Sequence, residues 1–90
     1  MVDLTRKQLK QQAHHLSPII MIGQHGLTPA VQLEIERALL AHELVKIKMN
    51  LDDRDLRKAI IDEICQAREA ELIQSIGKVV VIYRKNEENA

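Results

Sequence analysis

The stretch Ile19–Val31, IIMIGQHGLTPAV, decides how the rest of the chain is read. Four apolar residues run into Gly23, then Gln24-His25, Gly26 and a Leu27-Thr28-Pro29 junction. An apolar run this short, bounded by glycine, reads as a strand buried on both faces. Thr28 is a favoured N-cap. Pro29 fits the first helical position, where its missing N–H leaves nothing unsatisfied. The stretch is a strand, a G-x-x-G loop and the start of a helix.

Such a junction presents free backbone N–H groups at the positive end of a helix dipole, which favours an anion. Glycine lacks Cβ, so a sugar-phosphate chain can approach closely and positive φ costs little. GXXG loops clamp nucleic-acid backbones in this way, and Gln24 and His25 would project towards the chain. The same glycines can also serve turn geometry alone. A P-loop is excluded because no G-K-[ST] follows, and a dinucleotide fingerprint because the third glycine and its acidic partner are missing.

Upstream, residues 5–15 read as a helix with Leu9, Ala13 and Leu16 on its apolar face. Lys7, Lys10 and His14 share another face, with Arg6 on its flank, and Ser17-Pro18 ends the helix. Downstream, the second helix runs to about His42, with Val31, Ile35, Ala38 and Leu39 inward. Leu44–Asn50 alternates as a half-exposed strand, with Val45, Ile47 and Met49 opposite Lys46 and Lys48. Asp52 or Asp53 caps a third helix with an apolar stripe of Leu56, Ile60, Ile64 and Ala67. Leu72–Ile76 is a weaker strand, Gly77 a turn, and Lys78–Arg84 a last strand with an apolar middle.

The order αβαβαββ predicts an α/β fold, a four-stranded mixed sheet packed with three helices. The first two strands, joined through a helix, form a parallel pair, and the last two a hairpin. The two all-apolar strands, first and last, are expected in the middle of the sheet. Residues 1–86 form a single domain, with a short polar tail at 87–90; the polar stretch from Lys85 onward is expected to fray.

Ninety residues with equal numbers of acids and bases give a net charge of zero, so any polyanion binding must come from uneven charge. Arg6, Lys7, Lys10 and His14 cluster near one acid, Asp3, whereas Glu34, Glu36, Glu43, Asp62, Glu63, Glu69 and Glu71 lie elsewhere. This predicts a basic front and an acidic rear. Arg54, Arg57 and Lys58 are interleaved with Asp52, Asp53 and Asp55, which predicts local ion pairing.

Cys65 is the only cysteine and reads as a small buried hydrophobe. No apolar run has membrane-spanning length, no signal-like segment is present, and a cytoplasmic monomer is expected. His14 and His15 are adjacent and diverge on a helix, while His25 and His42 lie at opposite ends of another. No catalytic or metal-binding arrangement follows from these spacings; neither enzyme activity, nor a metal, nor a cofactor or small-molecule substrate is expected. Tyr83 is the only aromatic residue, so stacking of bases on aromatic platforms is not expected. Any nucleic acid bound would then be read by shape and backbone instead.

Three segments in order, LTRKQLKQQAHHLSPIIMIGQHGLT at 4–28, HELVKIKM at 42–49 and IGKVVVIYR at 76–84, resemble the CRM domain family. The similarity is strongest to its stand-alone bacterial members of the YhbY type and covers nearly the whole chain. It implies an RNA-binding domain similar in fold to the C-terminal domain of bacterial translation initiation factor three. For the bacterial members it implies association with precursors of the large ribosomal subunit and a role in their assembly; plant organellar relatives use the domain in intron splicing.

The resemblance places RNA contacts at Gly23, Gln24, His25 and Gly26 and on the neighbouring basic residues. Arg6, Lys7 and Lys10 are the first candidates, followed by His14, Lys48, Lys78 and Arg84, with Thr28 capping the helix behind the loop. Many relatives carry lysine within the loop, where this chain has Gln24-His25, so affinity is expected to rest more on the helix. The alternative is a protein-interaction module that docks on a ribosomal or assembly protein through the acidic surface.

Overall fold

In the computed structural model, which describes residues 5–86, the elements follow the expected order. They are α1 (Arg6–Ala13), β1 (Ile20–Ile22), α2 (Pro29–His42), β2 (Leu44–Met49), α3 (Arg54–Arg68), β3 (Glu71–Ile76) and β4 (Val79–Tyr83). Residues 1–4 and 87–90 lie outside the described residues, and with them the expected polar tail. Asn86, next to that tail, is hydrogen-bonded to the rest of the fold. Its backbone N–H donates to Glu43 Oε2 (2.8 Å) and its side chain to the carbonyls of Leu39 and Leu40 at the end of α2.

Each helix start has a local cause. Thr5 and Gln8 form a reciprocal capping box at α1, Thr28 Oγ1 accepts from the Val31 N–H, and Asp53 accepts from the Asp55 and Leu56 N–H groups. Of the two aspartates considered for α3, Asp53 caps it and Asp52 turns outward to Lys78.

The sheet order is β1-β2-β4-β3, with β1 parallel to β2 and the other neighbours antiparallel. The parallel pair and the hairpin are as expected. The position of β1 is not: it is an edge strand, and the lysine-bearing β2 is central with β4. Hydrogen bonding on both edges and burial of both faces are separate conditions. β1 buries Ile20 and Ile22 on one face while Met21 on the other is 62% exposed. β2 is paired on both sides although one face carries Lys46 and Lys48.

Two apolar clusters flank the sheet. The larger joins Ile20, Ile22, Val45, Ile47, Met49, Val80 and Ile82 to Ile35, Ala38 and Leu39 of α2 and to Ile60, Ile61 and Ile64 of α3. The smaller joins Leu9 and Ala13 of α1 to Leu44, Ile73 and Val81, with Tyr83 half-buried against them. The molecule is therefore three-layered, with α2 and α3 on one face and the short α1 on the other.

Two expected stripes are shifted. Leu16 lies beyond the end of α1 and is exposed. In α3, Ile61 is buried while Leu56 and Ala67 are exposed, because the helix turns the Ile60-Ile61-Ile64 edge to the sheet. A register shift between Leu72 and Gln74 marks an irregularity in β3 at Ile73, which faces the α1 side. Cys65 packs half-buried against the larger cluster, and burial, with a smaller contribution from Asp62, pushes its thiol pKa up.

Candidate nucleic-acid interface

The loop after β1 is a closed turn: the Gly26 N–H donates to the Gly23 carbonyl (2.9 Å), and the Thr28 N–H to the Gly26 carbonyl (3.2 Å). Gly26 has φ +69°, a conformation that other residues adopt only with strain. Nothing lies within 4 Å of where a Cβ would sit at either Gly23 or Gly26, so the loop surface is open.

The helix behind the loop is less anion-ready than its sequence implies. Pro29 has no N–H, and the Val31 N–H is taken by Thr28 Oγ1 (3.2 Å). In the first turn of α2, Ala30 alone keeps an N–H without a partner among the described residues; Gln24 and His25 in the loop also keep theirs. The side chains of Gln24 and His25 are exposed. An anion at this end meets a few loop donors rather than a bare helix N-terminus.

The cationic candidates divide by what they already hold. Lys7, Lys10 and Lys48 are exposed and have no ion-pair partner among the described residues. His14 is exposed at the end of α1. Lys48 lies in register between Met21 of β1, two residues before Gly23, and Val79 of β4, which places it between α1 and the loop end of the sheet.

The other candidate cations, Arg6, Lys78 and Arg84, are engaged. Arg6 pairs with Glu71 (2.7 Å) and also donates to the Leu72 carbonyl, tying α1 to β3. Lys78 pairs with Asp52 (2.8 Å), whose carboxyl is held below the usual carboxylate range by that contact. The pair is solvent-exposed, so it competes weakly with a phosphate.

Arg84 is committed to the fold. Its two terminal nitrogens each meet one Glu36 carboxylate oxygen at 2.8 Å, and Nη1 also donates to the Arg68 carbonyl (3.0 Å). It joins the end of β4 to α2, on the layer opposite α1, and does not come together with the other candidates.

Lys46 has a function its sequence did not reveal. Its Nζ donates to the carbonyls of Ala13 and Leu16 (both 3.2 Å), closing the C-terminal end of α1 against the sheet. The only signal in the sequence was its place on the polar face of β2. Among the described residues no direct ion pair joins Arg54, Arg57 or Lys58 to Asp52, Asp53 or Asp55: Asp53 is a cap, Asp52 binds Lys78 and feels Arg57 only at longer range, and Arg57 donates to the Leu51 carbonyl.

Of the acids, Glu36 and Glu43 hold the segment after β4 at Arg84 and Asn86, and Glu71 holds Arg6. Glu34, Asp62 and Glu63 are exposed on α2 and α3. No group of three or more potential metal ligands is assembled among the described residues, and none of their helices is long and apolar enough to cross a membrane.

The CRS1/YhbY (CRM) domain family matches residues 1–84. A Pseudomonas aeruginosa protein named “Probable RNA-binding protein PA4753” is 48% identical over 81 residues, covering 90% of this chain and 78% of its own. A Haemophilus influenzae protein named as an RNA-binding protein is 45% identical over 91 residues, covering 98% of this chain and 92% of its own. The solution structure of the Staphylococcus aureus protein SAV1595 superposes with a TM-score of 0.81 at 32% identity, over 94% of this chain and 88% of that one. The two sequence relatives carry names of RNA-binding proteins, not of enzymes. The element order, the mixed sheet and the match over residues 1–84 agree: the protein belongs to the CRS1/YhbY (CRM) domain family.

Proposed function

We propose that the protein is a non-catalytic RNA-binding domain that engages ribosomal RNA in precursors of the large ribosomal subunit and assists their assembly, acting as a monomer in the cytoplasm. The observation that carries this reading is the placement of Lys7, Lys10 and Lys48, exposed and without ion-pair partners among the described residues. Two lie on α1 and one on the strand between α1 and the open Gly23–Gly26 loop. The names of the relatives support RNA as the partner.

In this reading Gly23 and Gly26 let the backbone approach, Gln24 and His25 line the contact, and Thr28 fixes the helix behind it. Lys7, Lys10 and Lys48 neutralise phosphates, His14 lies beside them at the end of α1, and Lys78 joins the lysines by exchanging Asp52 for a phosphate. Arg6 holds α1 in place, and Arg84 stands outside the site.

The test is sedimentation of a tagged copy from cell lysate, with and without ribonuclease, followed by crosslinking to ribosomal RNA. Migration with large-subunit precursors that is abolished by ribonuclease is the expected result. Migration that survives ribonuclease would favour docking on a protein through Glu34, Asp62 and Glu63 instead. With about four phosphates neutralised, log affinity for RNA falls with log salt at a slope of roughly 3 to 4.

A further inference from the structure

The sheet face that carries α1 is covered at one end and open at the other. Side chains cross it in rows set by the strand register. Leu44, Tyr83 and Glu71 form the first row; α1 packs on Leu44 and Tyr83 and reaches Val81 of the next row. Ile19, Lys46, Val81 and Gln74 form the second, with the Ile19 N–H donating to the Lys46 carbonyl. Met21, Lys48, Val79 and Ile76 form the third.

The third row lies beyond the reach of α1. Met21 is 62% and Ile76 64% exposed, the two largest values among the exposed large hydrophobic side chains. Between this row and the end of α1 runs a shallow groove lined by Ala13, His14, Lys46, Gln74, Ile76 and Val79. No carboxylate occurs in the second or third row. The cations there are Lys46 and Lys48, with His14 at the rim.

An occupant of this face must offer apolar surface and negative charge side by side. Unpaired nucleotides do so, with base faces flanked by phosphates. The row crosses four strands, about 14 Å at the usual strand spacing. Four-stranded RNA-recognition sheets display two or three bases on such a face. Met21 stands two residues before Gly23, so a chain whose backbone rests on the loop can lay its bases along the row. Gln74 and His14 place hydrogen-bonding groups at the groove's edge, where a base presents its own donors and acceptors.

We propose that the row Met21–Lys48–Val79–Ile76 holds unpaired bases of the RNA, gripping their faces with aliphatic side chains in place of the aromatic ones the chain lacks. This rests on the RNA-binding reading and adds a substrate class: RNA with a bulge or loop beside a helix, rather than uninterrupted duplex.

The experiment compares binding of a fully paired RNA duplex and the same duplex carrying a bulge of unpaired nucleotides. The proteins are the full chain and its Met21→Ser/Ile76→Ser variant, with Lys48→Gln as a second variant. Both apolar positions are exposed, and matching thermal melts verify that folding is unaffected. The wild type is expected to prefer the bulged RNA by about fivefold or more, the low end for a base contact. The double variant is expected to lose that preference and keep its duplex affinity, whereas Lys48→Gln weakens both RNAs.

Equal binding of both RNAs by the wild type, or an undiminished preference in the double variant, overturns the proposal and leaves RNA binding standing. Binding of neither RNA, even at low salt, overturns the RNA-binding reading and the proposal together.

Discussion

Arg84 and Glu36 form a two-pronged ion pair, Nη1 to Oε1 and Nη2 to Oε2, each at 2.8 Å, which fastens the end of β4 to α2. Arg68 adds a longer contact to the same carboxylate (3.4 Å). Both partners are largely removed from solvent, so the pair is screened less than a surface one. Glu36→Gln is expected to lower unfolding free energy by about 1–2 kcal/mol, measured by urea titration, with RNA affinity unchanged. A large loss of affinity in a folded Arg84→Lys protein would return Arg84 to the interface.

The same pair predicts a pH dependence. The Arg84 hydrogen bonds hold the Glu36 carboxyl below its ordinary pKa, outweighing the opposing effect of burial. A carboxyl with a depressed folded pKa contributes stability that is complete above its unfolded pKa and is lost as pH falls through the folded value. Wild-type protein is therefore expected to lose stability below the usual carboxylate range more steeply than Glu36→Gln. Parallel acid titrations of the two would deny the pair that contribution.

Lys46 is a structural lysine on a face otherwise suited to ligand. Lys46→Met is expected to cost about 0.5–1.5 kcal/mol through removal of its bonds to the Ala13 and Leu16 carbonyls. Hydrogen exchange at the amides of His14, His15 and Leu16 should accelerate, with exchange in α2 and α3 much less affected. Uniform acceleration would mean that α1 does not loosen separately.

Lys7 and Lys10 have no ion-pair partner among the described residues and are exposed, so charge reversal should not disturb the fold. In Lys7→Glu/Lys10→Glu, RNA affinity is expected to fall and the salt slope to become shallower by about 2, one for each phosphate no longer neutralised. An unchanged slope in a normally melting protein removes α1 from the interface.

The two loop glycines separate stability from RNA binding. Gly26→Ala must adopt φ +69° and is expected to cost about 1–2 kcal/mol. Gly23 has neither positive φ nor a neighbour within 4 Å of an added Cβ, so Gly23→Ala should melt close to wild type. Any fall in its RNA affinity then measures how closely the phosphate chain must approach. Full affinity in Gly23→Val as well would make the loop a structural turn.

Features that depend on neighbours along the chain were legible in the residues themselves. Thr28-Pro29 could only start a helix, and the alternation from Leu44 to Met49 could only be a strand with unlike faces. Gly77 marked a hairpin because its positive φ suits a tight turn. The open loop and the lysines of α1 could be read for the same reason. Which cations remain available was settled only by folding. Arg6, Lys78 and Arg84 each meet an acid at least 26 residues away, and Lys46 closes a helix 33 residues before it. No local pattern encodes these meetings.

The sheet order belongs to the same class. Apolar residues on both sides of β1 report affinity for a buried site, whereas strand order depends on which hydrogen-bonding edges are satisfied together. β2 could take the centre because Lys46 found two carbonyls and Lys48 found solvent beyond the end of α1. The length of α1 then fixed how much of the sheet stayed open. That open row beside the loop was visible only once the strands were in register.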